Sequence, residues 1–229
     1  MAARTTNTRK ARQTQAPTFD FDGSLLTGLT DGDQEMFESE RFEAVAYSDI
    51  ARDRWDLGVG STIDGCRITG LNLSAWSLRG SRIVESVIGG ADVPVVSAAR
   101  GGLRDVEFLD SRFGSIEAYD ANWRGIRFTR CKLGFVNLRG SELLDIEFVD
   151  CTIDEIDLLD ATARRVSFES SRIGALNASG ATLSDVDLRG AEVLEVVGMA
   201  GLRGATISPE QLHLMAPALA QMAGIRVED

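Results

Sequence analysis

The chain has 229 residues, of which 44% are hydrophobic, so it is long and apolar enough to fold one domain around a substantial core. It contains no run of about 18 apolar residues and begins without an apolar segment, so we expect neither a transmembrane helix nor a secretory signal. The formal net charge of −11 disfavours direct nucleic-acid binding by the folded body and favours basic partner surfaces.

Residues 1–18 form a basic segment without acidic residues. Because the whole chain holds 24 basic and 35 acidic residues, the remaining body keeps 20 basic and 35 acidic residues, a net charge of −15. The segment is Arg-rich, as a transit peptide is, but it lacks regularly spaced large apolar residues, which favours a disordered basic tail. Its four charges are Arg4, Arg9, Lys10 and Arg12.

Residues 19–36 read "FDFDGSLLTGLTDGDQEM" and precede a repeat with a period of five. Every fifth position from Ile63 to Val193 is apolar, 27 positions in all, a pattern with a chance probability on the order of 10⁻¹⁰. A helix repeats at 3.6 residues and a strand at 2, so neither accounts for it. The pattern predicts a coil that closes only by stacking on copies of itself, with residues 19–36 capping the first coil.

The position two residues before each of these apolar residues alternates between small and large side chains. Ser141, Cys151 and Ala161 are small, whereas Ile146 and Ile156 between them are large. Small residues opposite large ones fill an interior without voids, so both sets are expected to point inward.

The repeat continues outside its strict stretch, one residue out of phase. Phe42, Tyr47 and Leu57 continue it toward the N-terminus, which predicts a one-residue insertion within residues 58–61. Leu202 and Ile207 continue it toward the C-terminus. The predicted solenoid therefore spans residues 37–207.

Repeat units such as "VNLRGSEL" (136–143) and "VDLRGAEV" (186–193) resemble those of the bacterial pentapeptide-repeat family. The resemblance implies an all-β fold, a right-handed quadrilateral β-helix of about eight coils with four five-residue units in each coil. The resemblance extends to the quinolone-resistance members of the family, which mimic DNA and bind DNA gyrase. Those members dimerise through C-terminal helices.

The three cysteines read as core residues within such a coil. Cys131 and Cys151 are four units apart, so they are predicted to stack in adjacent coils, and Cys66 also lies at an inward position. Core packing is therefore favoured over a redox pair at these positions.

In residues 208–229 the five-residue repeat gives way to a helical pattern, which predicts an α-helical cap. Ser208 is a suitable N-cap, Pro209 suits the first helical position and Gln211 completes a capping box. Pro217 is expected to kink or split the helix. An apolar stripe follows helical spacing, and it either covers the last coil or forms a homodimer interface. The stripe consists of Leu212, Met215, Leu219 and Met222.

Acidic residues recur at every eighth five-residue unit, in "DVEF" (105–108), "DIEF" (145–148) and "DVDL" (185–188). With four units per coil, these lie on one face, where they either mimic DNA phosphates or form a charge ladder. The ladder is favoured by Arg127 and Arg165, which fall in the intervening coils, since alternating signs stabilise stacked side chains. The candidate partner-binding residues are Glu85, Asp105, Glu107, Asp145, Glu147, Asp185 and Asp187.

Catalytic and metal-binding patterns are lacking in the sequence. His213 is the single histidine, no Cys-x-x-Cys occurs, and no glycine-rich phosphate loop follows a strand. We therefore expect no enzyme activity, no cofactor and no metal, and the odd count of three cysteines suits the cytoplasm. The sequence predicts a protein-interaction module, either a DNA mimic that binds DNA gyrase or a structural or regulatory scaffold for an unrelated protein.

Overall fold

The computed structural model describes residues 13–32 and 41–228. The first twelve residues of the predicted tail, residues 33–36 of the predicted cap and the first four residues of the predicted solenoid lie outside the described residues. Within the described ranges the chain forms twenty strands, two short 3-10 helices, η1 (Gly23–Leu25) and η2 (Met199–Leu202), and one α-helix, α1 (Pro209–Met222).

The strands are short and follow one another with connections of a few residues. They are β1 (Thr30–Asp31), β2 (Arg41–Glu43), β3 (Val45–Ser48), β4 (Ala51–Asp56), β5 (Thr62–Asp64), β6 (Arg67–Thr69), β7 (Asn72–Ser77), β8 (Arg82–Gly89), β9 (Asp92–Ser97), β10 (Gly102–Leu109), β11 (Arg112–Glu117), β12 (Asn122–Thr129), β13 (Lys132–Asn137), β14 (Glu142–Val149), β15 (Thr152–Asp157), β16 (Thr162–Glu169), β17 (Ser171–Asn177), β18 (Thr182–Asp187), β19 (Ala191–Val197) and β20 (Ala205–Thr206).

All pairings between these strands are parallel, and they build two sheets. In the described part of the chain the second sheet has eight strands in the order β19-β17-β15-β13-β11-β9-β7-β4, one per coil. Trp123 in β12 pairs with Leu103 in β10 and with Leu143 in β14, so each coil takes four five-residue units. The predicted fold class, a four-sided β-helix of about eight coils that ends in an α-helix, is confirmed.

The coil turns its corners with residues in left-handed backbone conformations. Asp105, Asp110 and Asp120 have φ values of 57°, 49° and 53°. Because Asp and Asn tolerate this region better than most side chains, many corners of the solenoid carry Asp where they lack Gly. The first corner divides β10 into two halves that lie on adjacent faces of the rod.

The core is a set of side-chain columns that run along the rod axis. One column stacks four phenylalanine rings with centroid separations of 4.7, 5.0 and 4.8 Å, in the order Phe108, Phe128, Phe148 and Phe168. Cys131 and Cys151 are buried in adjacent coils, as predicted, and Cys66 is fully buried. The alternation of small and large inward residues is therefore a packing pattern between neighbouring columns.

The register of paired strands shows where the five-residue repeat gains or loses one residue. Ala51 pairs with Asn72, whereas Thr62 pairs with Arg82, so the first pairing spans one residue more than the second. The extra residue lies between β4 and β5, in agreement with the predicted insertion at 58–61. At the other end, where β20 joins the sheet, Val186 pairs with Ala205, which is one residue fewer than a regular coil.

Both ends of the solenoid are covered by other segments. β1 pairs with β3 in the first coil, so Thr30 and Asp31, within the predicted cap, extend the sheet at the N-terminal end. At the C-terminal end α1 begins with the predicted capping box of Ser208 and Gln211. The helix is one continuous segment from Pro209 to Met222 with Pro217 inside it, so of the two expected effects, a kink or a split, the split is wrong.

Candidate interaction surface

The seven predicted acidic residues come together in two adjacent columns, here called the acidic stripe. One column lies at a corner and contains Glu85, Asp105, Asp145 and Asp185; the next lies on the adjoining face and contains Glu107, Glu147 and Asp187. The regular coil explains this placement, because residues one or two full coils apart fall in register along the rod.

The corner column has a backbone reason for its acidic residues. Asp105, Asp145 and Asp185 have φ values of 57°, 59° and 57°, in the left-handed region that Asp tolerates. Gly125, between the first two, has a φ of 68°, and a Cβ there would collide with Oδ1 of Asp105. The recurrence of Asp in every second coil is therefore partly a consequence of how the corner is built.

Arginines neutralise much of the stripe, as the alternation in the sequence predicted. Arg127 Nη1 lies 3.0 Å from Glu107 Oε1, and its Nε lies 3.7 Å from Glu147 Oε2. Arg165 binds both oxygens of Asp145 through Nε and Nη2, at 2.6 and 2.5 Å. The stripe is thus a ladder of alternating charge in its central coils.

A column of exposed arginines borders the corner on its other side. Arg104 and Arg124 pair in register, and Arg164 follows two coils later. Arg104 lies 3.4 Å from Glu85 and 3.7 Å from Asp105. The negative potential of the stripe is therefore reduced from this side as well.

Four carboxyl groups of the stripe have shifted pKa values, two raised and two lowered. Burial raises the pKa of Asp105 and of Glu147, and the nearby arginines offset this only in part. Burial acts in the same direction on Asp145, but the hydrogen bonds from Arg165 and from the Thr18 amide outweigh it and lower its pKa. The pKa of Asp187 is lowered, chiefly by the hydrogen bond from the Arg189 side chain.

Residues 13–23, here called the N-terminal strap, lie along the acidic stripe. The amide of Gln15 donates to Asp185 Oδ1 over 3.2 Å, and the amide of Thr18 donates to Asp145 Oδ1 over 2.9 Å. At the far end, the amide of Gly23 donates to Glu107 Oε1 over 3.3 Å. The strap therefore runs from the C-terminal coils toward the N-terminal ones, across the direction of the strands.

The three carboxylates that accept the strap's amides are buried. Glu107, Asp145 and Asp185 are only 8%, 3% and 9% exposed. The ring of Phe19 lies 4.3 Å from the guanidinium carbon of Arg127, a cation–π contact. Of the candidate residues, Glu85 is the most open, with 54% of its side chain exposed.

Residues 13–18 belong to the predicted disordered tail, yet they lie against the solenoid. They bind through backbone amides and the hydroxyl groups of Thr14 and Thr18, so the sequence shows no pattern of apolar side chains that would predict docking. The one feature that could have indicated docking is a match of distances. Acceptors two coils apart are separated by about 10 Å, and so are donors three residues apart in an extended chain, which rises about 3.3 Å per residue.

The C-terminal helix divides its predicted apolar stripe between core and solvent. Met215 is buried and Leu219 half-buried, whereas Leu212 and Met222 are exposed by 50% and 55%. The buried face also carries Gln211, whose side-chain amide donates to the carbonyls of Leu188 and Ala191 at 2.6 and 2.7 Å. Gln211 thus satisfies two carbonyl groups of the last coils, a role that the sequence did not reveal.

His213 lies apart from the three cysteines. His213 is on the exposed side of α1, and the three cysteines are buried. Burial raises the pKa of the Cys66 thiol, which makes a thiolate nucleophile unfavourable there. Among residues 13–32 and 41–228, no cluster of His, Cys, Asp and Glu suits a metal ion, and no helix is long and apolar enough to cross a membrane.

Comparison with known proteins yields matches to solved structures only. No family model matches the sequence, and no curated protein matches it. A trypsin-treated variant of QnrB1, a plasmid-mediated fluoroquinolone resistance protein, matches at 16% identity and a TM-score of 0.33, covering 87% of this chain and 96% of that one. A second trypsin-treated variant gives 16% identity, a TM-score of 0.31, and 82% and 100% coverage.

Full-length QnrB1 matches at 14% identity and a TM-score of 0.21, covering 78% of this chain and 99% of that one. At these TM-scores the likeness carries no functional inference. The parallel coils, each built from four five-residue units, are themselves the architecture that the resemblance to the pentapeptide-repeat family implied.

Proposed function

We propose that this protein is a non-enzymatic interaction module that binds a protein partner through the acidic stripe, with DNA gyrase as the specific candidate. The observation that carries the proposal is the gathering of seven carboxylates from separate coils into two adjacent columns. A solenoid holds such columns at fixed spacing, because each coil is hydrogen-bonded to its neighbours along its whole length.

Mimicry of DNA is the finer part of the proposal. Carboxylates on a rod can occupy a groove that normally receives backbone phosphates, and the net charge of −11 favours approach to a basic surface. The resemblance of the repeat units to those of gyrase-binding proteins selects DNA gyrase among proteins with such a groove.

The test is a DNA supercoiling assay with purified gyrase, with and without a fluoroquinolone. A stripe variant combines Glu85→Gln, Asp105→Asn and Glu147→Gln, which remove charge where the side chains are more exposed than Asp145. A matched control combines Asp110→Asn, Asp120→Asn and Asp160→Asn, which remove the same charge from other corners whose residues also have positive φ.

We expect the wild type and the control to inhibit supercoiling or to protect gyrase from the drug, and the stripe variant to need at least about tenfold more protein. Equal loss in both variants would indicate general electrostatic attraction and overturn the role of the stripe. No effect of the wild type at about 50 µM, a concentration at which even weak complexes with a Kd near 1 µM form, would overturn gyrase as the partner.

A structural or regulatory scaffold for another protein is the second candidate. It is favoured by the ion pairs of Arg127 and Arg165, because carboxylates neutralised within the rod contribute little to a partner's electrostatic recognition. A scaffold that uses another face would keep its partner in pull-down experiments with the stripe variant and lose it with variants of that face.

A homodimer through the C-terminal helix is part of the proposal. Leu212, Leu214 and Met222 on α1 are exposed, by 50%, 77% and 55%. Replacing Leu212 and Leu214 with Glu is expected to convert a dimer into a monomer in light scattering without unfolding the rod. A wild type that is monomeric at about 100 µM, well above a micromolar Kd, would overturn the dimer.

A further inference from the structure

The spacing of the strap's donors matches the spacing of its acceptors. Gln15 and Thr18 are three residues apart, so in an extended chain their amides are about 10 Å apart. Their acceptors, Asp185 and Asp145, lie two coils apart, which is also about 10 Å at the usual distance between paired strands. Asp145 and Asp185, which recur in every second coil, are thus acceptors in register with an extended peptide.

The strap is attached by hydrogen bonds and one cation–π contact, with little apolar packing. Of residues 13–23 only Gly23 is buried, so the strap gains little from the burial of apolar surface. Holding about ten residues in one conformation opposes docking through lost conformational entropy. A segment with few buried contacts opens far more readily than the packed solenoid beneath it.

The charges of the strap do not suit a permanent attachment. Asp20 lies close enough to Asp105 to contribute to the raised pKa of that carboxyl group. An acidic side chain over an acidic surface favours release, whereas the backbone amides and the Phe19 contact with Arg127 favour docking. Opposing contributions of this kind give a closed state that a competing ligand can displace.

We propose that the N-terminal strap is a reversible lid that occupies the acidic stripe, so that a partner binds the stripe only when the strap has been released. The proposal rests on the proposed function for the identity of the partner but not for the docking of the strap. Release exposes Glu107, Asp145 and Asp185, whose carboxylate oxygens accept the strap's amides in the closed state.

The docking is tested with Thr18→Pro in the full-length chain. Proline lacks the amide that donates to Asp145, and the change also removes the Thr18 hydroxyl, which donates to the same oxygen. Thr27→Pro is the matched control, because Thr27 is exposed and its amide donates to no other described residue. Leu26 before it is already extended, as a residue preceding proline must be.

Two readouts follow the strap itself. Hydrogen exchange at the Gln15 and Gly23 amides is expected to be at least about tenfold faster in Thr18→Pro than in the wild type and in Thr27→Pro. A fluorescent synthetic peptide of residues 13–23 is expected to bind Thr18→Pro at least about tenfold more tightly than the wild type. Equal exchange in the two proline variants, or equal peptide binding, would overturn the lid.

A second variant, Gly23→Val, tests the docking independently in case Thr18→Pro does not fold. In Gly23→Val the added side chain would collide with Val87, and its Cβ would lie 2.7 Å from Glu107 Oε2. This variant should release the far end of the strap without touching the Thr18 contact. Circular dichroism and the melting temperature show for each variant whether the solenoid is intact.

Gyrase inhibition separates this inference from the proposed function. If the strap covers the binding surface, Thr18→Pro inhibits supercoiling at about one tenth of the wild-type concentration, and Thr27→Pro matches the wild type. Faster exchange and tighter peptide binding without any inhibition would leave the strap displaceable and overturn gyrase as the partner. Inhibition that is equal in all variants while the strap is released would overturn the lid and leave gyrase binding intact.

Discussion

The backbone amide of Thr18 donates a hydrogen bond to Oδ1 of Asp145 over 2.9 Å, although the two residues are 127 positions apart in the chain. Arg165 binds both oxygens of the same carboxylate from the next coil. One aspartate therefore joins three parts of the molecule: a solenoid corner, an ion pair between coils and the N-terminal strap. Replacing this aspartate should therefore lower the free energy of unfolding and weaken the docking of the strap.

Asp145→Asn is expected to lower the free energy of unfolding by about 3 kcal/mol, because the guanidinium of Arg165 stays half-buried without its anionic partner. Urea denaturation measures the loss. Asp110→Asn is the control, since Asp110 is also a left-handed corner residue with an arginine one coil later, but its pair with Arg130 is exposed. The control should unfold like the wild type; equal losses in both variants would locate the effect in the corner backbone.

Phe148→Ala is expected to cost about 3–5 kcal/mol, because Phe148 is buried and stacked between Phe128 and Phe168. The cavity would interrupt the phenylalanine column between two coils that cannot move closer together, since their backbones are already hydrogen-bonded. Phe135→Ala, at an outward and only partly buried position, should cost much less. Chemical denaturation of both variants makes the comparison, and similar costs would contradict the assigned packing.

Gln211→Ala is expected to lower stability by about 1–3 kcal/mol, because it removes the side-chain donor to the Ala191 carbonyl and one of two donors to the Leu188 carbonyl, which keeps the Ala191 amide. It also removes half of the capping box of α1. Leu212→Ala, at the next position and exposed, serves as the control. Thermal unfolding distinguishes them; an unchanged melting temperature in Gln211→Ala would show that water replaces the side chain at the end of the rod.

Gly125→Ala is expected to destabilise the protein by about 1–3 kcal/mol, because φ is 68° at this position and the new Cβ would collide with Asp105. Gly28→Ala carries a similar backbone conformation, with φ of 74°, but meets no atom within 4 Å. The difference between the two unfolding free energies isolates the collision. No difference would mean that the Asp105 side chain rotates away without loss.

Asp105→Asn is expected to raise the melting temperature at about pH 7. Burial raises the pKa of Asp105, with Arg104 opposing and Glu85 reinforcing the shift. A raised pKa in the folded state means that ionisation destabilises the fold as pH rises from the ordinary value of 3.8 through the raised pKa. Asn avoids this and tolerates the positive φ of 57°.

The pH profile of the same variant supplies the check. Below pH 3.8 the carboxyl group is protonated in the folded and the unfolded chain, so the advantage of Asp105→Asn should vanish there. Melting curves between about pH 3 and about pH 7 span the titration of a carboxyl group. An advantage that persists unchanged at the acid end would assign the effect to hydrogen bonding or to the backbone instead of ionisation.

The fold of residues 63–193 could be predicted from the sequence alone. Inward positions recur with a period of five, and each coil places apolar or small side chains at those positions because its interior is like that of its neighbours. Phe128 and Phe148 could be placed in one column by counting, and so could the alternation of Glu107, Arg127 and Glu147. The insertion at 58–61 could also be predicted, because the repeat resumes after it one residue out of phase.

The N-terminal strap and the role of Gln211 were decided only by the tertiary structure. The amides of Gln15 and Thr18 that bind the aspartates are present in every sequence, and the added hydroxyl contact of Thr18 is not distinguishable from that of any exposed threonine. Likewise Gln211 reads as a capping-box residue, and its second task depends on where the last coil leaves its carbonyls. Periodic burial of side chains can be predicted from the sequence. Single contacts to backbone groups of distant segments cannot, because they depend on where the stacked coils place those groups.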